Sequence, residues 1–158
     1  MEQFFDERVR SFLEHTADHN VRMLMVGGGA VNFHGYQRSS ADVDFWIETS
    51  KENLSHLLSA LRKCGFDLED FPPAVYNQDQ NISIKISPIA ELELITRFNP
   101  GKTFEQAEKD AVPATVDGYP LARYSVLSFE DLINSKTKAG RPKDLMDIQE
   151  LKRRKDNS

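Results

Sequence analysis

The sequence predicts a mixed α/β (α+β) domain, a central mixed sheet flanked by helices, on three observations. A strand–glycine–helix–strand run spans residues 22–47. Two later segments, 81–86 and 89–96, alternate apolar and polar residues with the period of a half-buried strand. Between and around them lie amphipathic helical stripes with start and stop signals.

Residues 2–19 read as the first helix, with Phe5, Val9, Phe12, Leu13 and Thr16 on one face. His15 and His19 stand at i, i+4, a metal-compatible spacing, but no third ligand is near in sequence and they are read as surface histidines. Residues 22–26 form the first strand and end at Gly27-Gly28-Gly29. Ala30 to His34 is long enough for one or two helical turns, and residues 42–47 form the second strand. Thr49-Ser50-Lys51-Glu52 is a capping box opening a helix whose buried stripe is Leu54, Leu57, Leu58 and Leu61, with Gly65 as its stop. Residues 66–68 are expected to form a short strand, and Phe71-Pro72-Pro73 breaks the pattern. After strands 81–86 and 89–96, Asn99-Pro100-Gly101 is a turn and residues 103–111 a helix. Asp117-Gly118 joins a hairpin of 112–116 and 119–126. Ser128 caps a helix through Ala139, Gly140 ends it, and Pro142 fits the first turn of a last helix reaching about Lys152.

The 158 residues suit one domain, 1–158, with a proper core. No apolar run approaches the ~18 residues of a membrane span. The first residues lack a signal-peptide pattern, and the single Cys64 cannot form an internal disulfide, so a reducing cytoplasm is expected. Net charge is −5 but uneven: residues 1–135 carry 12 Lys+Arg against 21 Asp+Glu, and residues 136–158 carry 8 against 4. The acidic body argues against a surface that coats nucleic acid. Lys152-Arg153-Arg154-Lys155 is read as a solvated helix end that offsets the helix dipole.

The chemistry concentrates in residues 26–46. A glycine turn at a helix start exposes backbone N–H groups where phosphate oxygens bind without side-chain hindrance. Asp42 and Asp44, two apart on a strand, put both carboxylates on one face. There they repel unless a cation sits between them, and hard oxygen ligands of this kind suit Mg2+ that also carries phosphates.

This run resembles the signature of the polymerase-beta-like nucleotidyltransferase superfamily in its small, single-domain form. The subgroup pattern is Gly-Gly-x-Ala-x-x-x-His-Gly, then Arg-x-Ser/Thr-x-Asp-x-Asp. Gly27, Gly28, Ala30, His34, Gly35, Arg38, Ser40, Asp42 and Asp44 fit it position by position. Gly28 stands where many members have serine, which leaves phosphate contact there to backbone N–H groups, with Gly29 beside it. The resemblance implies the polymerase-beta-like fold and a third carboxylate on a strand beside the Asp-x-Asp strand. Leu92-Glu93-Leu94-Ile95-Thr96 matches that segment with Glu for Asp, so Glu93 is assigned as third ligand, with Glu91 as its competitor. The alternative is that both glutamates lie on an exposed edge strand. Arg38 is either a phosphate contact or a partner for the acidic cluster, and His34 is structural rather than catalytic.

A second resemblance covers Lys136 and Gly140-Arg141-Pro142-Lys143-Asp144, followed by Asp147. In the subgroup such a segment brings cations to the nucleotide, which makes Lys136, Arg141 and Lys143 candidates for holding the pyrophosphate leaving group. The alternative is a pair of helix-end cations bridged to Asp144 and Asp147.

The resemblance implies Mg2+-dependent nucleotidyl transfer. An acceptor hydroxyl attacks the α-phosphate of a nucleoside triphosphate, and pyrophosphate leaves. Asp42, Asp44 and Glu93 hold one or two Mg2+, while Gly27, Gly28, Gly29, Arg38, Ser40 and the three C-terminal cations bind the nucleotide. The acceptor is a small molecule, RNA or protein. An antitoxin, as some relatives have, or a homodimer mate is an expected partner; a membrane is not. Two other readings stand against this one: a degenerate relative that binds nucleotide or protein without turnover, and a regulatory module with an acidic surface.

Overall fold

The structure, a computed structural model, describes residues 6–37, 42–87 and 90–157. Its helices begin where short polar side chains can take up the backbone N–H groups that a first turn leaves unpaired. Asp6 accepts from the N–H groups of Arg8 and Val9, both at 3.0 Å, and starts α1 (Glu7–Asp18). Phe5 and the residues before it lie outside the described residues. Ser50, one residue after Thr49, caps α3 (Lys51–Lys63) by accepting the Asn53 N–H at 3.1 Å. Thr103 and Gln106 form a reciprocal capping box for α5 (Phe104–Asp110). Ser128 caps α6 (Phe129–Ala139), which stops at Gly140 in the left-handed conformation. The last helix, α7 (Pro142–Asp156), runs beyond Lys152. In its final turn Arg153 bridges Glu150, Arg154 lies over Tyr36 and Lys155 over Phe129, so three charges of this exposed basic end make local contacts.

The remaining elements are β1 (Met23–Val26), α2 (Gly27–Phe33), β2 (Val43–Ile47), the single-turn α4 (Pro73–Tyr76), β3 (Ile82–Ser87), β4 (Ala90–Ile95), β5 (Val112–Val116) and β6 (Tyr119–Val126). Two expectations need correction. The helix after β1 starts at Gly27, not at Ala30, so the glycines are its first turn rather than a separate loop. Residues 66–68 form no strand. Arg62 takes the carbonyls of Leu68 and Glu69 at 2.7 and 2.8 Å, and a side chain thus occupies acceptors that a sheet neighbour would need.

The six strands form one open mixed sheet in the order β3-β4-β2-β1-β6-β5. β2 runs antiparallel to β1 and parallel to β4; β1 runs parallel to β6; β3 and β5 are the antiparallel edges. Period-two alternation then sorts the central strands into two faces. Met25, Phe45 and Leu94 share one face, which α1 covers through Phe12 against Phe45. The Leu54, Leu57 and Leu61 stripe of α3 is fully buried in the same core, as its spacing requires. Leu24, Val26, Asp44, Trp46 and Glu93 share the other face. There Trp46 packs on Phe98 and Phe104, with ring centroids 5.2 and 4.9 Å apart. No helix among the described residues is long and apolar enough to cross a membrane.

Candidate functional site

Register brings the acids together. Val26 at the end of β1 lies opposite Asp44, and Asp44 lies beside Glu93 on the parallel neighbour β4. Two rungs further out, Asp42 Oδ1 accepts the Glu91 N–H at 3.0 Å. Two rungs on either side of the Val43–Leu92 pair therefore carry four carboxylates on one face, and Asp44 and Glu93 are half-buried. Because β4 is flanked by β3 and β2, the edge-strand alternative for its glutamates fails. Of the two candidates for third ligand, Glu93 shares the Asp44 rung, whereas Glu91 faces Lys85 on β3.

The electrostatics follow from this crowding. Burial, then the neighbouring charges of Asp42 and Glu93, push Asp44 up to about 6 against the weaker pull of Lys143 and Lys136. Among the described residues no hydrogen bond or ion pair holds its carboxylate. Gly27 sits directly on it: at φ +61°, a Cβ there would overlap Asp44 Oδ2 and lie 3.2 Å from Cγ. Glycine is needed at this position both for its backbone conformation and for the space. The α2 N-terminus has no side-chain cap, so its first-turn N–H groups stay available beside the acid.

The flanking acids are tied elsewhere. Ser83 Oγ donates to Glu93 Oε2 at 2.5 Å, drawing that side chain towards β3, and Asp42 is turned onto the Glu91 backbone. As they stand, no three His, Cys, Asp or Glu side chains among the described residues are gathered closely enough to hold a metal. The donor set nevertheless has the chemistry for a hard divalent cation: three carboxylates from neighbouring strand positions, one of them without an ion pair among the described residues and with its ionisation opposed by the other two.

Facing the acids across a cleft of about 490 Å3 is the corner between α6 and α7. Gly27 and Asp44 form one wall, Lys136, Arg141 and Asp144 the other, and Phe98 closes one side. Lys136 is buried and bridges Asp147 at 3.0 Å and Asp144 at 3.4 Å. Arg141 donates to Asp144 through Nε at 2.6 Å and a terminal nitrogen at 3.1 Å. Burial alone would raise Asp144, but the side chain and backbone N–H of Arg141, followed by Lys136, hold it below the usual carboxylate range. The bridges weighed in the sequence are thus present; those of Lys136 are interior, while Arg141 is exposed and only its partner Asp144 is buried. Lys143, exposed at the start of α7, and Lys138 on α6 have no ion-pair partner among the described residues.

The remaining candidates divide clearly. His34 Nε2 donates to the Leu127 carbonyl at 2.7 Å between Phe33 and Phe129, and burial lowers its pKa. It ties α2 to the β6–α6 connection, a structural role. His19 bonds the His15 carbonyl at 2.8 Å, which leaves the two histidines as part of a helix end. Arg38 and Ser40 lie outside the described residues. Sequence reasoning missed Ser83 as the partner of Glu93, although the Ile82-Ser83-Ile84 alternation already put it on the polar face. A cleft of about 550 Å3 beside Arg22 is slightly larger, but Arg22 is already paired with Glu48 and Glu108.

The chain matches no protein-family model, and no curated protein matches it.

Proposed function

We propose that this protein is a Mg2+-dependent nucleotidyltransferase of polymerase-beta-like fold, moving a nucleoside monophosphate from a triphosphate to an acceptor hydroxyl with release of pyrophosphate. The observation that carries the proposal is the Asp44–Glu93 rung beside Gly27, because a half-buried carboxylate with like charges as neighbours and no ion pair among the described residues is a costly arrangement without a cation. Asp42, Asp44 and Glu93 would hold one or two Mg2+, which when bound neutralises the phosphates and favours deprotonation of the acceptor hydroxyl.

The chain's own residues do the rest. Gly27 leaves room for the Asp44 carboxylate where any Cβ would intrude, and the α2 N–H groups orient a phosphate oxygen beside it. Ser83 holds Glu93 until it is needed at Asp44. The α6–α7 corner closes the pocket, and Phe98 offers a flat apolar surface to a base. Positioning and charge neutralisation are the main requirements of in-line phosphoryl chemistry.

One observation favours a second reading, a nucleotide-binding relative without turnover: the flanking acids point away from Asp44. Calorimetry with ATP, GTP, CTP and UTP, with and without Mg2+, separates the two. The transferase requires metal-dependent binding that Asp44→Asn abolishes; binding indifferent to both Mg2+ and that substitution supports the second reading.

A further inference from the structure

We infer that the last turn of α7, with the end of α2 and the start of α6, forms a strip that binds single-stranded nucleic acid through its phosphates. The inference is independent of the nucleotide reading, because the strip shares no lining residue with the Asp44 cleft.

A recess of about 650 Å3 lies where these three elements meet, lined chiefly by His34, Gly35, Phe129, Arg153, Arg154 and Lys155. The clefts beside Asp44 and Arg22 both include carboxylates, and this recess includes none. Glu150 lies 2.8 Å from Arg153 and 3.5 Å from Arg154, so one carboxylate serves two guanidinium groups. The positive field reaches His34, which burial, and then Lys155 against the Leu127 hydrogen bond, holds below its ordinary pKa.

Charge alone would suit any anion; the rings narrow the choice. Arg154 lies 5.2 Å over the Tyr36 ring, and Lys155 lies 4.1 Å over that of Phe129. His34 meets Phe33 and Phe129 edge-on, with centroids 5.2 and 5.7 Å apart. All four of these ringed side chains are half-buried. Cations interleaved with partly open rings suit a single strand, whose phosphates meet the charges while its bases stack on rings and guanidinium planes. A duplex keeps its base faces stacked, and a free phosphate has no use for rings. A helix end that only offset the dipole would need the charges and not the aromatic partners from two other elements. Confined to one corner, the strip is compatible with an acidic body that cannot coat nucleic acid.

The test is fluorescence anisotropy of a labelled oligouridylate about 12 nucleotides long, with the full chain in EDTA at low salt. Wild type is expected to bind it. Arg153→Gln, Arg154→Gln and Lys155→Gln combined should weaken binding at least about tenfold and lower the salt slope by about two. Lys51→Gln, Lys63→Gln and Lys109→Gln combined remove the same charge from exposed positions elsewhere and should change binding by no more than about twofold. Circular-dichroism melts check folding; should the first combination not fold, Lys155→Gln alone carries the same sign with a loss of about two- to threefold. No binding, or an equal loss in the two combinations, overturns the inference. So does inorganic tripolyphosphate that displaces the strand as effectively as unlabelled oligouridylate at equal phosphate concentration. Binding to phosphatidylserine vesicles without binding to the strand would assign the strip to a membrane surface and overturn it as well.

Discussion

The two walls of the cleft carry similar numbers of charged side chains and treat them in opposite ways. On the helical wall, buried Lys136 is matched by Asp144 and Asp147 and exposed Arg141 by Asp144, with Lys138 left without an ion-pair partner among the described residues. On the sheet wall, Asp44 stands beside two further acids, and its pKa rises to about 6. The buried pairs of the first satisfy one another and fix the corner between two helices. In the second, no ion pair holds Asp44 among the described residues. Buried charge in a fold is therefore ambiguous by itself: what separates structural use from ligand binding is whether the protein supplies the counter-charge.

The largest effect is expected on the satisfied wall. Asp144→Ala leaves buried Lys136 with Asp147 alone and exposed Arg141 without its carboxylate, and breaking into a buried network in this way destabilises by about 3 kcal/mol. Urea unfolding should show the loss as a lowered midpoint. A cost under about 1 kcal/mol would mean the network contributes nothing beyond a surface bridge.

Next comes the contact between the walls' chemistry and the backbone. Gly27→Ala meets both a left-handed conformation and the Asp44 carboxylate, and should destabilise by about 2–3 kcal/mol. Thermal melts give the size. A neutral result would show that α2 can shift away and that the glycine is not required by Asp44.

The smallest effect has the opposite sign and a pH signature. Asp44 binds its proton more tightly folded than unfolded, so stability falls as pH rises from 3.8 to about 6, and the deficit is full above that. Asp44→Asn should therefore stabilise the metal-free protein by about 1–2 kcal/mol at pH 7, allowing for the solvent that still reaches the group. The gain should vanish below about pH 4, which denaturant curves at several pH values will show. A destabilised variant at pH 7 would mean that the sheet wall is satisfied after all.

Much of the sheet wall was legible in the sequence. Leu92-Glu93-Leu94 alternates, so its buried and polar faces could be assigned before any neighbour was known, and the Asp-x-Asp spacing gave the other strand. What sequence could not supply was strand order: nothing local says that β4 lies beside β2 rather than at an edge. The three glycines are legible as a phosphate-accessible turn before a helix at Ala30, yet with Gly29 close to Met25 and Gly27 close to Asp44 the helix itself starts at Gly27. The pairing of Lys136 with Asp144 and Asp147 was visible only as one of two options, since spacing across a helix corner does not say which way a lysine turns.

The claim beneath all of this is that the sheet-wall acids share a cation, and a carbon-13 NMR titration of the Asp44 carboxyl with and without Mg2+ tests it most directly. The account predicts a midpoint of about 6 without metal, falling by at least about one unit when Mg2+ is added. A midpoint that stays in place at saturating Mg2+, with Asp42 and Glu93 equally unaffected, would contradict it.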